Sequence, residues 1–139
     1  LERLFTAGEY APLSLEDAVE LCKDLYMIFL SRSIPVIRMG LHPLPPDRVS
    51  GVIAGPYHPS FGFLVKARHR RELMTALIGR HLRDSDGRPA ENIRIVLPDK
   101  NTGEYVGSGK ENIKFIQKSF NLKGVRYSVG PVTDLQILE

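Results

Sequence analysis

Residues 93–113 read IRIVLPDKNTGEYVGSGKENI, and this stretch decides how the second half of the chain folds. The run from 93 to 97 is apolar except for Arg94 and rich in β-branched side chains, which predicts a strand. Beyond the glycines, Ile113, Ile116 and Phe120 recur at helical spacing, which predicts a helix over 111–120. The stretch therefore consists of a strand, a glycine-containing turn and a helix.

The sequence after residue 120 adds two strands. Residues 125–129 and 132–138 are strand-like and are separated by Gly130-Pro131, a pair typical of a turn. The last ~50 residues thus run strand, loop, helix, strand, strand, and this order predicts a small α+β sheet with its helices on one side.

The turn at 106–113 resembles the KH module of RNA-binding proteins, whose signature is apolar-Gly-x-x-Gly-x-x-Ile. The match is Val106-Gly107-Ser108-Gly109-Lys110-Glu111-Asn112-Ile113, preceded by a strand that ends near Pro98. The resemblance covers about residues 91–138 and implies that the turn residues Gly107, Ser108, Gly109 and Lys110 approach a nucleic-acid backbone at a helix N-terminus. It departs from the signature at Lys110, which stands where the second glycine belongs. The alternative is a left-handed turn before a helix, without a ligand.

Other phosphate-binding motifs do not fit this turn. A Walker loop needs two glycines five apart, then Lys and Ser or Thr, whereas Gly103 and Gly109 are six apart and Glu111 follows Lys110. The dinucleotide fingerprint lacks its third glycine. Basic residues instead continue along the helix, because Lys110, Lys114 and Lys118 recur every four residues and line one face. We expect these three lysines to contact phosphates.

The first half begins with an amphipathic helix. Ser14 and Asp17 have capping-box spacing, and apolar residues follow at helical spacing over 15–31. Cys22 lies on that apolar face, so we expect it to pack in the core and not to act as a reactive thiol. Residues 34–41 are short, apolar and branched, and predict a strand buried on both faces.

Two proline-rich loops interrupt the middle of the chain. Residues 42–47 hold three prolines within four positions, so they cannot be regular structure. The loop 54–61 is similarly rigid, and Ser60 can cap a helix from Phe61 to about Arg83. A turn is predicted at 84–87.

Several of these segments together resemble one family. The C-terminal part of bacterial radical SAM (S-adenosylmethionine) proteins is similar to residues 1–10, 12–19, 34–41, Ala54-Gly55-Pro56-Tyr57-His58-Pro59-Ser60-Phe61 and 64–65. That group resembles the radical SAM subunit of Elongator and is often labelled with oxygen-independent coproporphyrinogen oxidases. The resemblance covers most of the chain, although His42 stands where the group has Gln.

The resemblance implies a division of the chain and a set of site residues. Residues 1–46 would be the C-terminal edge, a terminal helix and strand, of a partial (β/α) barrel; 47–90 a connecting loop and basic helix; and 91–139 the KH-like α+β domain. The mouth of a barrel lies at the C-terminal ends of its strands. Residues placed near substrate or cofactor there are Arg38, Met39, Gly40, His42, Tyr57 and His58. The three-cysteine motif of the family is absent, so we expect no metal ligand and no catalytic residue here, and the parent protein would supply a [4Fe-4S] cluster and S-adenosylmethionine.

Composition limits the remaining possibilities. The 139 residues include one cysteine, which excludes an intrachain disulfide and makes a cytoplasmic location the expectation. No apolar run approaches the ~18 residues of a membrane span, and no signal-peptide pattern opens the chain. Because Leu1 falls within an amphipathic run, we expect the chain to be a fragment of a longer protein. Most of the positive charge lies after residue 50, which suggests polyanion contact; the alternative is a solvated basic surface.

Three functional hypotheses follow. The chain is an accessory region of a radical SAM iron–sulfur enzyme that positions substrate at the barrel mouth, with the rest of the parent chain as partner. Alternatively, it is a stand-alone KH-like RNA-binding module, or an α+β interaction domain. A variant of the first hypothesis is the accessory domain of a porphyrin-precursor oxidase-like radical SAM protein. The first two are compatible if the parent protein modifies RNA such as tRNA.

Overall fold

The computed structural model describes residues 2–49, 51–84 and 91–138. Contacts divide the chain into two compact units, Leu1–Val65 and Lys66–Glu139. The helices are α1 (Glu2–Thr6), α2 (Leu15–Ser31), α3 (Pro46–Val49), α4 (Phe61–Asp84), α5 (Thr102–Val106) and α6 (Glu111–Ser119). The expectation that 42–47 holds no regular structure is therefore wrong at its last two residues, because a proline is tolerated in the first turn of a helix, where its missing N–H has no partner to lose. The strands are β1 (Asn92–Pro98), β2 (Gly124–Gly130) and β3 (Gln136–Leu138). No helix in the described part of the chain is long and apolar enough to cross a membrane.

Helix α2 is the centre of the first unit, and its predicted bounds are confirmed. The side chain of Ser14 accepts a 3.0 Å hydrogen bond from the Asp17 backbone N–H, so the predicted cap is present. Ala18 and Val19 pack with Phe61 and Val65 from the start of α4. Cys22 lies against this cluster, as its place on the apolar face predicts.

The strand predicted over 34–41 is wrong. This segment has no regular structure, and the side chain of Ile37 is 99% exposed. A strand exists only through backbone hydrogen bonds to a neighbouring strand, and the sheet of the described residues contains only β1, β2 and β3. Pro35 also lacks a backbone donor. The apolar composition of 34–41 therefore indicates a tendency to be buried, but it does not indicate a strand, because this unit offers no neighbouring strand for pairing.

The second unit is a three-stranded sheet with its apolar core on one face. The strand order is β2-β1-β3, with β2 parallel and β3 antiparallel to β1. Ile93, Ile95 and Leu97 alternate along β1 and are buried with residues of α4, α5 and α6. The predicted α+β class is confirmed, as are the strand at 93–97 and the helix starting at 111.

Two boundaries in this unit differ from the prediction or lie beyond the description. Strand β3 begins at Gln136, not at 132, because the Asp134 carboxylate accepts the backbone N–H of Leu135 at 2.8 Å and forms a local turn in place of ladder pairing. Helix α4 extends to Asp84 as predicted within one residue, and the rest of the turn predicted at 84–87 lies outside the described residues.

Candidate functional site

The first unit exposes an extended apolar surface. On α2, Leu21, Leu25 and Ile28 follow the i, i+4, i+7 spacing of one face, and their exposures are 52%, 47% and 57%. Ile34, Ile37 and Leu41 add exposed apolar side chains from the irregular segment. We call these six residues the apolar face. Exposed apolar side chains that recur along one helix face mark an interaction site, since single domains in water seldom leave such a face uncovered.

A cavity of about 450 Å³ lies between α2 and the proline-rich loops. Three of the predicted site residues line it, namely Gly40, Tyr57 and His58, and the rest of its wall is mainly apolar. Such a cavity suits a mostly apolar group whose orientation is fixed by a few polar atoms.

Backbone contacts hold the polar side chains of this cavity in place. The Tyr57 hydroxyl accepts a 2.7 Å hydrogen bond from the backbone N–H of Leu44. The Nδ1 atom of His58 accepts the Ser60 N–H at 3.0 Å, so the neutral ring carries its proton on Nε2. At Gly40, φ is +83° and an added Cβ would lie 2.8 Å from the Phe61 Cβ, so only glycine allows this close approach.

The other predicted residues of this region lie apart from that cavity. Arg38 and Met39 line a second cavity of about 210 Å³, which shares only Cys22 with the first. His42 is exposed and lines neither cavity. The structure thus brings together half of the six residues that the resemblance placed near substrate.

The chain's own side chains do not fit an iron–sulfur cluster. The sequence has a single cysteine, whereas such clusters are held by several thiolates. In the described ranges, no three His, Cys, Asp or Glu side chains gather where they could hold a metal ion.

In the second unit, the glycine turn adopts left-handed backbone at three positions. The φ angles are +76° at Gly107, +54° at Gly109 and +63° at Lys110. Lys110 therefore has the conformation that glycine favours, at the one position where the KH signature has glycine and this chain does not. An added Cβ at Gly107 would lie 2.7 Å from the Glu111 Cγ, whereas at Gly109 it would meet open space.

Cations of α4 neutralise the acidic residues beside this turn. Glu104 lies 3.6 Å from Lys66 and 3.6 Å from Arg70, and Glu111 lies 3.7 Å from Arg71. Lys110, Lys114 and Lys118 are exposed, and none of the three has an ion-pair partner among the residues that the structure describes. Their charge is therefore available to an external anion.

The buried side chain of Asn112 forms hydrogen bonds that connect the turn to α4. This role of Asn112 was not identified from the sequence. Its Oδ1 accepts the Arg71 Nε–H at 2.9 Å, and its Nδ2 donates to the carbonyls of Ala67 at 2.9 Å and Glu104 at 3.1 Å. Asn112 is fully buried, so these bonds replace all of its contact with water. The available signal was its spacing of four from Ile116, which places it on the core face of the helix.

Tyr105 is a second buried group that the motif search did not identify. Its hydroxyl donates to the Asp134 carboxylate and accepts from Arg70 at 3.3 Å. Burial of the ring and then the Asp134 hydrogen bond raise the pKa of Tyr105 to about 12. The phenol is therefore protonated at neutral pH and serves to hold α5 in place.

Comparison with known proteins gives one result. The family model for the radical SAM C-terminal domain matches residues 1–71, which is just over half of the chain. No curated protein and no solved structure matches it. The matched residues include α2, the apolar face and the 450 Å³ cavity, and the chain belongs to the radical SAM C-terminal domain family.

Proposed function

We propose that this chain is an accessory region of a radical SAM iron–sulfur enzyme that docks on the catalytic part of its parent protein and positions substrate there. The observation that carries the proposal is the apolar face. Ile37 at 99% exposure makes almost no contact within the chain, and a branched apolar side chain gains free energy only when a partner covers it.

The chemistry is assigned to the parent protein and not to this chain. The parent's cysteines would hold the [4Fe-4S] cluster, and that cluster with S-adenosylmethionine would supply the radical reaction. This chain contributes shape and orientation: the rigid loop holding Tyr57 and His58 beside Gly40 lines a cavity that can form one edge of a substrate site.

A charge placed at Ile37 tests the docking. We expect Ile37→Asp to leave the unfolding free energy of the isolated chain within about 0.5 kcal/mol, as for other exposed positions. In the parent protein it should lower the melting temperature and expose α2 to limited proteolysis. The control is Leu138→Asp, an exposed apolar position opposite Arg94 in the sheet, where an acid is tolerated. If both variants behave alike in the parent protein, the docking proposal is wrong.

We propose RNA binding by the second unit as an additional function. It is supported by the order β1, α5, glycine turn, α6, β2, and by the positive φ of Lys110 at the signature glycine position. The neutralisation of Glu104 and Glu111 by α4 leaves the three exposed lysines as net positive charge along one helical face.

Salt-dependent binding to tRNA tests this second function. A few phosphate contacts predict a log–log salt slope of about −2 to −4, at ~0.9 per contact. Lys110→Glu with Lys114→Glu should weaken binding to all sequences alike, because phosphate contacts carry no base information. The control is Lys123→Glu, since Lys123 already pairs with Glu91 at 2.6 Å. Absence of tRNA retention at low salt would remove the RNA function and leave the docking function untouched.

A further inference from the structure

Phe115 is an exposed aromatic side chain on the basic helix α6. It keeps 40% of its surface exposed although it lies one position from the core residue Ile116. Lys118 is three residues beyond it and Lys114 is adjacent, so the ring lies beside the lysine face.

The guanidinium of Arg71 lies over this ring, 4.9 Å from its centroid. That distance is within the range of a cation–π contact. Arg71 is itself held by the 2.9 Å bond to Asn112 and by Glu111 at 3.7 Å, so the ring and the guanidinium plane are fixed before any ligand arrives. Little conformational entropy is then lost on binding.

We propose that Phe115, backed on one face by the Arg71 guanidinium, forms a stacking platform for one unpaired nucleobase. This rests on the RNA-binding function proposed above and adds the residues that would hold one unpaired base of the RNA. A flat aromatic surface binds splayed-out bases, whereas bases in a duplex are already stacked on each other. The phosphates that flank the base would reach Lys114 and Lys118.

The two contributions have different experimental signatures. Stacking on an aromatic ring is independent of salt, whereas each lysine–phosphate contact releases counterions. Phe115→Leu should therefore weaken binding to a mixed-sequence single-stranded 12-mer about 5- to 100-fold and leave the salt slope unchanged. Lys114→Gln should reduce the slope by about 0.7 on a single strand. Binding to a duplex of the same length should respond only to the lysine change.

The chain has no tryptophan, so Phe115→Trp provides a single reporter at the platform. We expect its fluorescence to be quenched by the single-stranded 12-mer and not by the duplex. The matched control for the leucine variant is Phe5→Leu, which changes another exposed phenylalanine, at 38% exposure, in the first unit.

The outcomes separate this proposal from the one on which it rests. If Lys114→Gln weakens binding but Phe115→Leu does not, or if the fluorescence of the Phe115→Trp variant is unchanged on binding, the platform is wrong and RNA binding stands. If neither the single strand nor the duplex binds at low salt, both proposals fail together.

Discussion

Arg71 donates its Nε–H to the Oδ1 atom of Asn112 at 2.9 Å, and this bond links the basic helix α4 to the helix that follows the glycine turn. The same asparagine donates to two backbone carbonyls, so one buried side chain satisfies three polar groups, one of them buried and two partly buried. These bonds fix the turn at 107–110 on its buried side, while Lys110 lies on its exposed side.

Replacement of Asn112 should be costly, because its side chain is buried and bonded at both of its polar atoms. Asn112→Leu leaves the Arg71 Nε–H and two carbonyls without their partner, and we expect a loss of about 3 kcal/mol in unfolding free energy. Urea denaturation followed by circular dichroism measures it. Gln117→Leu is the control, because Gln117 makes one exposed bond, to the Lys123 carbonyl at 3.0 Å, and should cost less than about 1 kcal/mol. Equal losses of unfolding free energy in the two variants would show that the buried bonds of Asn112 contribute no more than the exposed bond of Gln117.

Because the backbone at Lys110 is left-handed, we expect the substitution Lys110→Gly to stabilise the folded chain. Lys110→Gly removes a strain of about 1 kcal/mol and should raise the unfolding free energy by about that amount, less the entropy of a freer unfolded chain. Lys114→Gly lies inside α6 and should lower it by about 1 kcal/mol. Denaturant titration of the two variants should give shifts of opposite sign. Shifts of the same sign would contradict the left-handed conformation of Lys110.

The two glycines of the turn should differ in their tolerance of alanine. Both have positive φ, but only at Gly107 would the new methyl collide with Glu111 and Asn112. We expect Gly107→Ala to cost about 1 kcal/mol of backbone strain plus a packing penalty of about 1–3 kcal/mol, and Gly109→Ala only the strain. The melting temperatures of the two variants show which substitution costs more stability. A larger loss for Gly109→Ala would contradict the packing of this turn.

Tyr105 predicts a loss of stability at high pH. Its pKa is raised from 10.0 to about 12 in the folded chain, so the unfolded chain releases the phenolic proton first. The stabilisation is fully present below pH 10 and is lost as the pH rises from about 10 to about 12. Urea titrations at about pH 9 and about pH 11.5, on either side of the unfolded pKa, measure how much the unfolding free energy falls. We expect it to fall less in Tyr105→Phe than in the unsubstituted chain. An identical decrease in the two proteins would contradict the shift.

Periodicity predicted the elements whose pairing partners are local. Helix α2 has its own cap at Ser14 and its own apolar spacing, and β1 lies close along the chain to the segments that cover it, so both could be found from sequence. The segment 34–41 carries the same apolar signal, but no strand lies beside it within the described residues. An apolar composition indicates that a segment is more stable when buried, but it does not identify the residues that bury it.

The candidate site shows the same limit. The glycine turn and the lysine spacing are visible in the sequence, whereas the role of Asn112 depends on Arg71 and Ala67, more than forty residues away. The exposure of Phe115 could not be predicted either, because a phenylalanine beside core isoleucines is read as a core residue.

The most direct test of the account is the exposure of Ile37 in the parent protein. Carbene footprinting with mass spectrometry measures side-chain accessibility in the isolated chain and in the longer protein, with Val129 of the second unit, 53% exposed, as the reference. If the apolar face docks on the catalytic part, labelling of Ile37 and Leu25 falls several-fold in the longer protein, while that of Val129 is unchanged. Equal labelling of Ile37 in the two proteins would contradict the account.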